Sequence, residues 1–179
     1  MKGPKRGALL LAAILFTLTT GGAPARAEEA AAATRAQSLG PETNLPLPRF
    51  VSLKTSRANV RRGPGLTHRI DWVFLKRGMP LEIVAEYGHW RKVRDVDDAG
   101  GWVHFAMLRG ERSAVVTAPR AALRREPERG APLVALAEAG VILSIDKCAA
   151  EWCEAEAQES IGWVAKPEIW GVGEGEVFD

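Results

Sequence analysis

Arg57-Ala58-Asn59-Val60-Arg61-Arg62-Gly63-Pro64-Gly65, followed downstream by Gly101-Trp102-Val103, is written a second time. The copy reads Arg120-Ala121-Ala122-Leu123-Arg124-Arg125-Glu126-Pro127-Glu128, followed by Gly162-Trp163-Val164. Trp90 has its counterpart in Trp152. A repeat of this length means two copies of one small supersecondary unit. Two such units leave no room for a separate catalytic domain between them.

Working outward, both copies read as β. Ala58 and Val60 alternate around Asn59, and Arg62-Gly63-Pro64-Gly65 makes a turn, its glycines open to backbone angles closed to other residues. Trp72-Val73-Phe74-Leu75 is a short apolar run stopped by Lys76-Arg77-Gly78. Leu81, Ile83 and Ala85 point one way and Glu82 the other, as in a half-buried strand. Tyr87-Gly88-His89 turns the chain into Trp90-Arg91-Lys92-Val93-Arg94. Asp97-Asp98-Ala99-Gly100-Gly101 forms a hairpin tip before Trp102-Val103-His104. The second copy repeats the outline: Leu133-Val134-Ala135-Leu136 matches the Trp72 run, and Val141, Leu143 and Ile145 mirror the Leu81 strand. Short strands separated by turns at this spacing predict a small barrel in each copy. Gly101 and Gly162 allow neighbouring strands to approach closely, and Trp102 and Trp163 are expected to fill the two small cores.

The ends read differently. Lys2, Lys5 and Arg6 precede an apolar run from Ala8 to Leu18, and Ala25-Arg26-Ala27 supplies a small-residue cleavage site, so residues 1–27 have the pattern of a secretory signal peptide. The run is too short for a membrane span, which needs roughly 20 apolar residues. Residues 28–49, with their alanine run and Leu45-Pro46-Leu47-Pro48, read as a disordered tether. The glycine-punctuated residues 173–179 read as a flexible tail. The connection around Gly110-Glu111-Arg112 is short enough to predict repeats that pack together.

Charge separates the two copies. Residues 49–112 carry 13 basic and 7 acidic side chains, and residues 113–179 carry 6 basic and 12 acidic. The basic balance of the whole chain belongs largely to residues 1–27, which hold four basic residues and no acidic one. Export therefore argues against a nucleic-acid partner despite the positive first copy. Cys148 and Cys153 are the only cysteines, and an oxidising compartment predicts a disulfide across their hairpin. No metal site or cofactor is expected. The three histidines, His68, His89 and His104, share no ligand spacing, and neither a P-loop nor a dinucleotide fingerprint is present.

Asn59-Val60-Arg61-Arg62-Gly63-Pro64, Lys76-Arg77-Gly78, Trp90-Arg91-Lys92-Val93 and Gly101-Trp102-Val103 together resemble the bacterial SH3-like (SH3b) domain. The second copy resembles a cysteine-bearing variant of it, and the chain as a whole is similar to exported tandem SH3b proteins. The resemblance implies an all-β fold of two tandem SH3-like barrels, over residues 50–112 and 113–172. It also implies a non-catalytic periplasmic or otherwise exported binding module. The expected partner is cell-wall peptidoglycan or its peptides, with an envelope protein as the alternative, and no transmembrane segment remains after signal cleavage. SH3-like barrels bind in a groove between the long first loop and the second hairpin. The candidates there are Arg61, Arg62, Arg69, Trp72, Tyr87, Trp90 and His104, with Tyr87 and Arg62 foremost. In the second copy Ala122 replaces the asparagine and Glu126-Pro127-Glu128 replaces Gly-Pro-Gly, which removes the turn chemistry of the first.

Overall fold

A computed structural model describes residues 38–179. The predicted signal peptide lies outside the described residues, as does the first part of the tether. Among the described residues no helix is long and apolar enough to cross a membrane.

The first repeat comprises β3 (Arg49–Leu53), β4 (Ala58–Arg61), β5 (Ile70–Phe74), β6 (Pro80–Tyr87), β7 (Trp90–Arg94), β8 (Gly100–His104) and β9 (Leu108–Arg109). A one-turn 3-10 helix (Phe105–Met107) separates the last two. The second comprises β10 (Ser113–Val116), β11 (Arg120–Arg124), β12 (Leu133–Glu138), β13 (Ile142–Cys148), β14 (Trp152–Ala157), β15 (Ser160–Ala165) and β16 (Ile169–Trp170). Strand order is β5-β4-β8-β7-β6-β3-β9 in one sheet and β12-β11-β15-β14-β13-β10-β16 in the other. Shifting every label by seven converts one order into the other, so the sequence repeat is a topological repeat, two SH3-like units in tandem.

Each sheet wraps its own small core. Leu53, Val60, Leu81, Val93 and Val103 are buried in the first, and Ala121, Leu123, Leu143, Ala155 and Val164 in the second. The tryptophans are not the core. Trp102 and Trp163 are half-buried, while Val103 and Val164 beside them have no exposed surface. Successive strand residues face opposite ways, and the pleat gives the inward direction to the valine. The close approach expected at two glycines is met: a Cβ on Gly101 would lie 2.8 Å from the Arg61 carbonyl oxygen, and one on Gly162 would lie 2.9 Å from that of Arg124. Gly63 and Gly65, against expectation, do not take left-handed angles.

The alternation read in β6 breaks after Ile83. A bulge between Ile83 and Ala85 reverses the facing of the strand, exposing Val84 and turning the Glu86 side chain completely away from solvent. The equivalent bulge in β13, between Ile145 and Lys147, turns Cys148 inward. Glu86 then lies opposite Arg91, and Cys148 opposite Cys153. One repeat fills this position with an ion pair at 3.4 Å and the other with the expected disulfide.

Both positions also hold a flanking segment, against the tether and tail expectations for residues 38–49 and 173–179. From Ser38 onward the supposed tether is ordered: β1 (Ser38–Leu39) pairs with β2 (Pro46–Leu47), and Leu47 is buried in the first core. The reason is the Glu86 carboxylate. It accepts hydrogen bonds from the amides of Glu42 (3.1 Å) and Thr43 (3.0 Å), from the Thr43 hydroxyl (2.7 Å) and from the Arg49 guanidinium (2.6 Å). The tail is ordered by Cys148, whose amide donates to the Phe178 carbonyl (2.8 Å) and whose carbonyl accepts from the Phe178 amide (3.1 Å). The buried Lys166 ammonium holds the Glu176 carbonyl at 2.6 Å.

The repeats pack together, as the short connection predicts. Phe50 meets Trp170 edge to face at 5.1 Å. The Arg112 guanidinium lies 5.8 Å from the Phe50 ring and 5.0 Å from the Phe178 ring, and pairs with Glu176 at 2.5 Å. Lys76 donates to the Gly140 carbonyl at 3.1 Å.

Two predictions follow from the pinned ends. Desolvation raises the Glu86 pKa, but the Arg49 hydrogen bond, the Thr43 hydroxyl and the two amides outweigh it and draw the value from 4.5 to about 2. Because the folded value is depressed, Glu86 stabilises fully above pH 4.5, and that contribution is lost as pH falls towards about 2. Glu86→Gln strands Arg49 and Arg91 without their carboxylate and is expected to cost about 3 kcal/mol in urea unfolding near neutral pH. That deficit should shrink towards zero as the titration approaches pH 2; a deficit independent of pH would contradict the assignment. Replacing both cysteines by serine opens a short loop and is expected to cost about 2 kcal/mol, with new protease cleavage confined to residues 173–179.

Candidate functional site

Cross-strand partners present their side chains on one face of a sheet, and the register of the first repeat builds such a face from three strands. Tyr87 on β6 lies opposite Trp90 on β7, and Trp90 lies opposite His104 on β8. One step along, Lys92 lies opposite Trp102, and Trp102 opposite Arg61 on β4. The result is an aromatic row beside a cationic one. Tyr87 is 64% exposed, so its ring is available to a partner.

The row is extended by residues that sequence reasoning passed over. The Trp90 and His104 rings meet edge to face at 5.5 Å, His104 lies 5.0 Å from Phe105, and His89 lies 5.6 Å from Phe105. Phe105 is half exposed, with the Arg91 guanidinium 5.9 Å from its ring. The Nδ1 atom of His104 accepts the Ala106 amide at 3.3 Å and caps the 3-10 turn, which fixes the imidazole. The only sequence signal for Phe105 is its place directly after the Gly-Trp-Val strand, and His89 is signalled by the turn beside Tyr87.

Beside the row runs an open cleft of about 250 Å³, lined by Arg57, Asn59, Arg61, Leu66, Trp90 and His104. That is below the size of cavities that engulf a drug-sized molecule, and it suits the edge of a longer polymer. Arg61 has a structural duty here. Its guanidinium donates to the carbonyls of Leu66 (3.0 Å) and His68 (2.6 Å), closing the loop between β4 and β5.

The remaining candidates are not brought to this face. Trp72 lies opposite the buried Val60 and is 39% exposed on the edge strand, neither core nor cleft. Arg62 and Arg69 converge on Asp71, at 3.3 and 2.7 Å. The Arg69 hydrogen bond, aided by Arg62, holds the Asp71 carboxyl below its ordinary value.

The second repeat keeps the frame and loses the row. Trp152 replaces Trp90, but Ala149 and Ala165 stand where Tyr87 and His104 stand in the first. Its Trp163 indole has a cation of its own: the Lys147 ammonium sits 5.5 Å from the ring and pairs with Glu154 at 2.9 Å. That carboxylate raises the Lys147 pKa.

Among the described residues no cluster of three or more His, Cys, Asp or Glu side chains is arranged to hold a metal ion. A family model described as the bacterial SH3 domain matches twice, at residues 54–110 and 117–171, more than half of the chain. No curated protein matches the sequence. Among solved structures, NlpC2 from Trichomonas vaginalis is similar at 14% identity and a TM-score of 0.33, over 70% of this chain and 48% of its own. NlpC1 from the same organism gives 14% and 0.33, over 75% and 49%. An NlpC/P60 family protein from Bacillus cereus gives 13% and 0.31, over 68% and 55%. The chain spans about half the length of these structures.

Removing the Arg61 guanidinium should free the loop it closes. Arg61→Ala is expected to speed amide hydrogen exchange at residues 62–69 by ten-fold or more and to cost about 1 kcal/mol of global stability. Unchanged exchange in that loop would show that the turn holds itself.

Proposed function

The chain belongs to the bacterial SH3 domain family, and from that premise we propose that it is an exported, non-catalytic binding module whose first repeat recognises cell-wall peptidoglycan. The observation that carries this reading is the row Tyr87–Trp90–His104 across three strands, exposed at Tyr87, half-buried at Trp90 and His104, and bordered by the cleft. Exposed aromatic rings offer a flat apolar surface with a polar rim, matched to the C–H faces of sugars and to small apolar side chains. Arg57 and Lys92, both exposed, stand beside the row, where they can take the carboxylates of stem peptides by charge-assisted hydrogen bonds. A single half-open face gives a modest contact, suited to a polymer that offers many equivalent sites. The disulfide supports an oxidising compartment, and with it the reading of residues 1–27 as an export signal. The second repeat, which keeps Trp152 but has alanines in place of Tyr87 and His104, acts in this reading as a support for the first.

Co-sedimentation of the chain with purified peptidoglycan at low and high salt tests the proposal. Binding is expected to persist at high salt and to weaken about ten-fold in Tyr87→Ala or Trp90→Ala, the loss typical of an interface anchor. Arg62→Ala, on the Asp71 cluster away from the row, should leave it unchanged. Binding abolished by salt would reduce the interaction to charge alone, and no binding at either salt would overturn the assignment of the partner.

A further inference from the structure

We propose that β12 is a self-association edge, along which two copies of the chain pair antiparallel about a twofold axis. Among the described residues the free edges of the two sheets are β5 and β9 in the first and β12 and β16 in the second. An unpaired strand is a template for another chain unless it is very short or carries charge. β9 and β16 are two residues each. β5 carries Asp71 at its second position, clamped by Arg62 and Arg69. β12 has neither protection, and the irregularity in its pairing with β11, between Leu123 and Arg124, leaves Ala135–Glu138 as a regular edge. Leu133-Val134-Ala135-Leu136-Ala137-Glu138 is six residues long, uncharged until its last position and free of proline.

Its side chains suit a partner. Leu133 is 53% exposed, Val134 42% and Leu136 55%, an apolar stripe that the equivalent strand of the first repeat interrupts with its charged cluster. The nearest charges on either side select the occupant and its direction. Arg129 lies four residues before the strand and Glu138 ends it, both exposed, with Glu138 opposite the exposed Arg120 of β11 but in no ion pair with it. An antiparallel second copy sets the basic end of each strand towards the acidic end of the other, twice by symmetry. A parallel copy would set Glu138 beside Glu138. A twofold contact uses the same patch on both partners and closes on itself. One edge and one stripe of leucines bury less than the roughly 1,200 Å² of a standard stable interface, so the dimer is weak and depends on concentration. The inference is independent of the peptidoglycan reading, since the aromatic row and β12 belong to different repeats.

Sedimentation velocity on the full chain over a dilution series tests it. The average mass should rise with concentration from 19.4 kDa towards twice that value. Leu133→Lys/Leu136→Lys should shift the equilibrium at least ten-fold towards monomer, and Ile161→Lys, equally exposed but on an interior strand, should not. Hydrogen exchange on the unmodified chain reads the same contact without a substitution: the Leu133–Glu138 amides not bonded to β11 should gain protection as concentration rises. A monomer at every soluble concentration overturns the proposal. So does a dimer that the double substitution leaves intact, or one that forms without protecting those amides.

Discussion

The inward-facing pair at the head of the second hairpin is the constraint around which each repeat is organised. A β-bulge one or two residues earlier rotates the strand so that this one position faces inward. A small β unit has too little apolar volume to be insensitive to what fills such a place. The first repeat fills it with Glu86 and Arg91, the second with Cys148 and Cys153. Both solutions tie the two strands of the hairpin, and both leave hydrogen-bonding capacity that captures a segment flanking the repeat: the Glu86 side chain holds residues 42 and 43, and the Cys148 backbone holds Phe178. A buried charge is tolerated only when its partners are complete, and the N-terminal hairpin supplies them. Order in that hairpin and stability in the first repeat are therefore one property.

The functional face depends on the same frame. Tyr87 follows Glu86 and Trp90 precedes Arg91, so fixing the inward pair fixes the outward pair next to it. In the second repeat the frame survives, with Trp152 in place, while the flanking aromatics have become alanines and Lys147 sits over Trp163, the counterpart of Trp102. The two repeats thus share a scaffold and differ in what the scaffold displays.

Much of this was legible in the residues. The repeated phrase and the Gly-Trp-Val strands located both units, the turn glycines located the loops, and the two cysteines across a hairpin located the disulfide. What escaped was everything downstream of the bulges. Read as an uninterrupted alternation, β6 puts Ala85 inside and leaves Glu86 on the surface; the extra residue reverses this, and nothing in Val84-Ala85-Glu86 announces it. With Glu86 misplaced, residues 38–49 had no visible partner, and a proline- and alanine-rich stretch without a partner reads as a tether. The tryptophans misled for another reason. Their area argues for a core, but in a repeat this small the valine beside each one fills the interior and the indole covers the outside. Of the candidate residues, those on β4, β6, β7 and β8 came together, Trp72 stayed on the edge strand β5, and Arg62 and Arg69 were drawn to Asp71 on their own hairpin, a contact that composition does not reveal.

The different fillings of the equivalent position give the chain unequal mechanical ends. Tension entering from the N-terminal side reaches the first repeat through the short hairpin and its hydrogen bonds to one carboxylate, a load borne by non-covalent contacts that acid weakens. Tension entering at the C-terminus passes through the Phe178 bridge to a hairpin that is covalently closed. Pulled from both ends, each side first sheds its own non-covalent contacts, those to Glu86 at one and those to Cys148 at the other, and acid weakens the former.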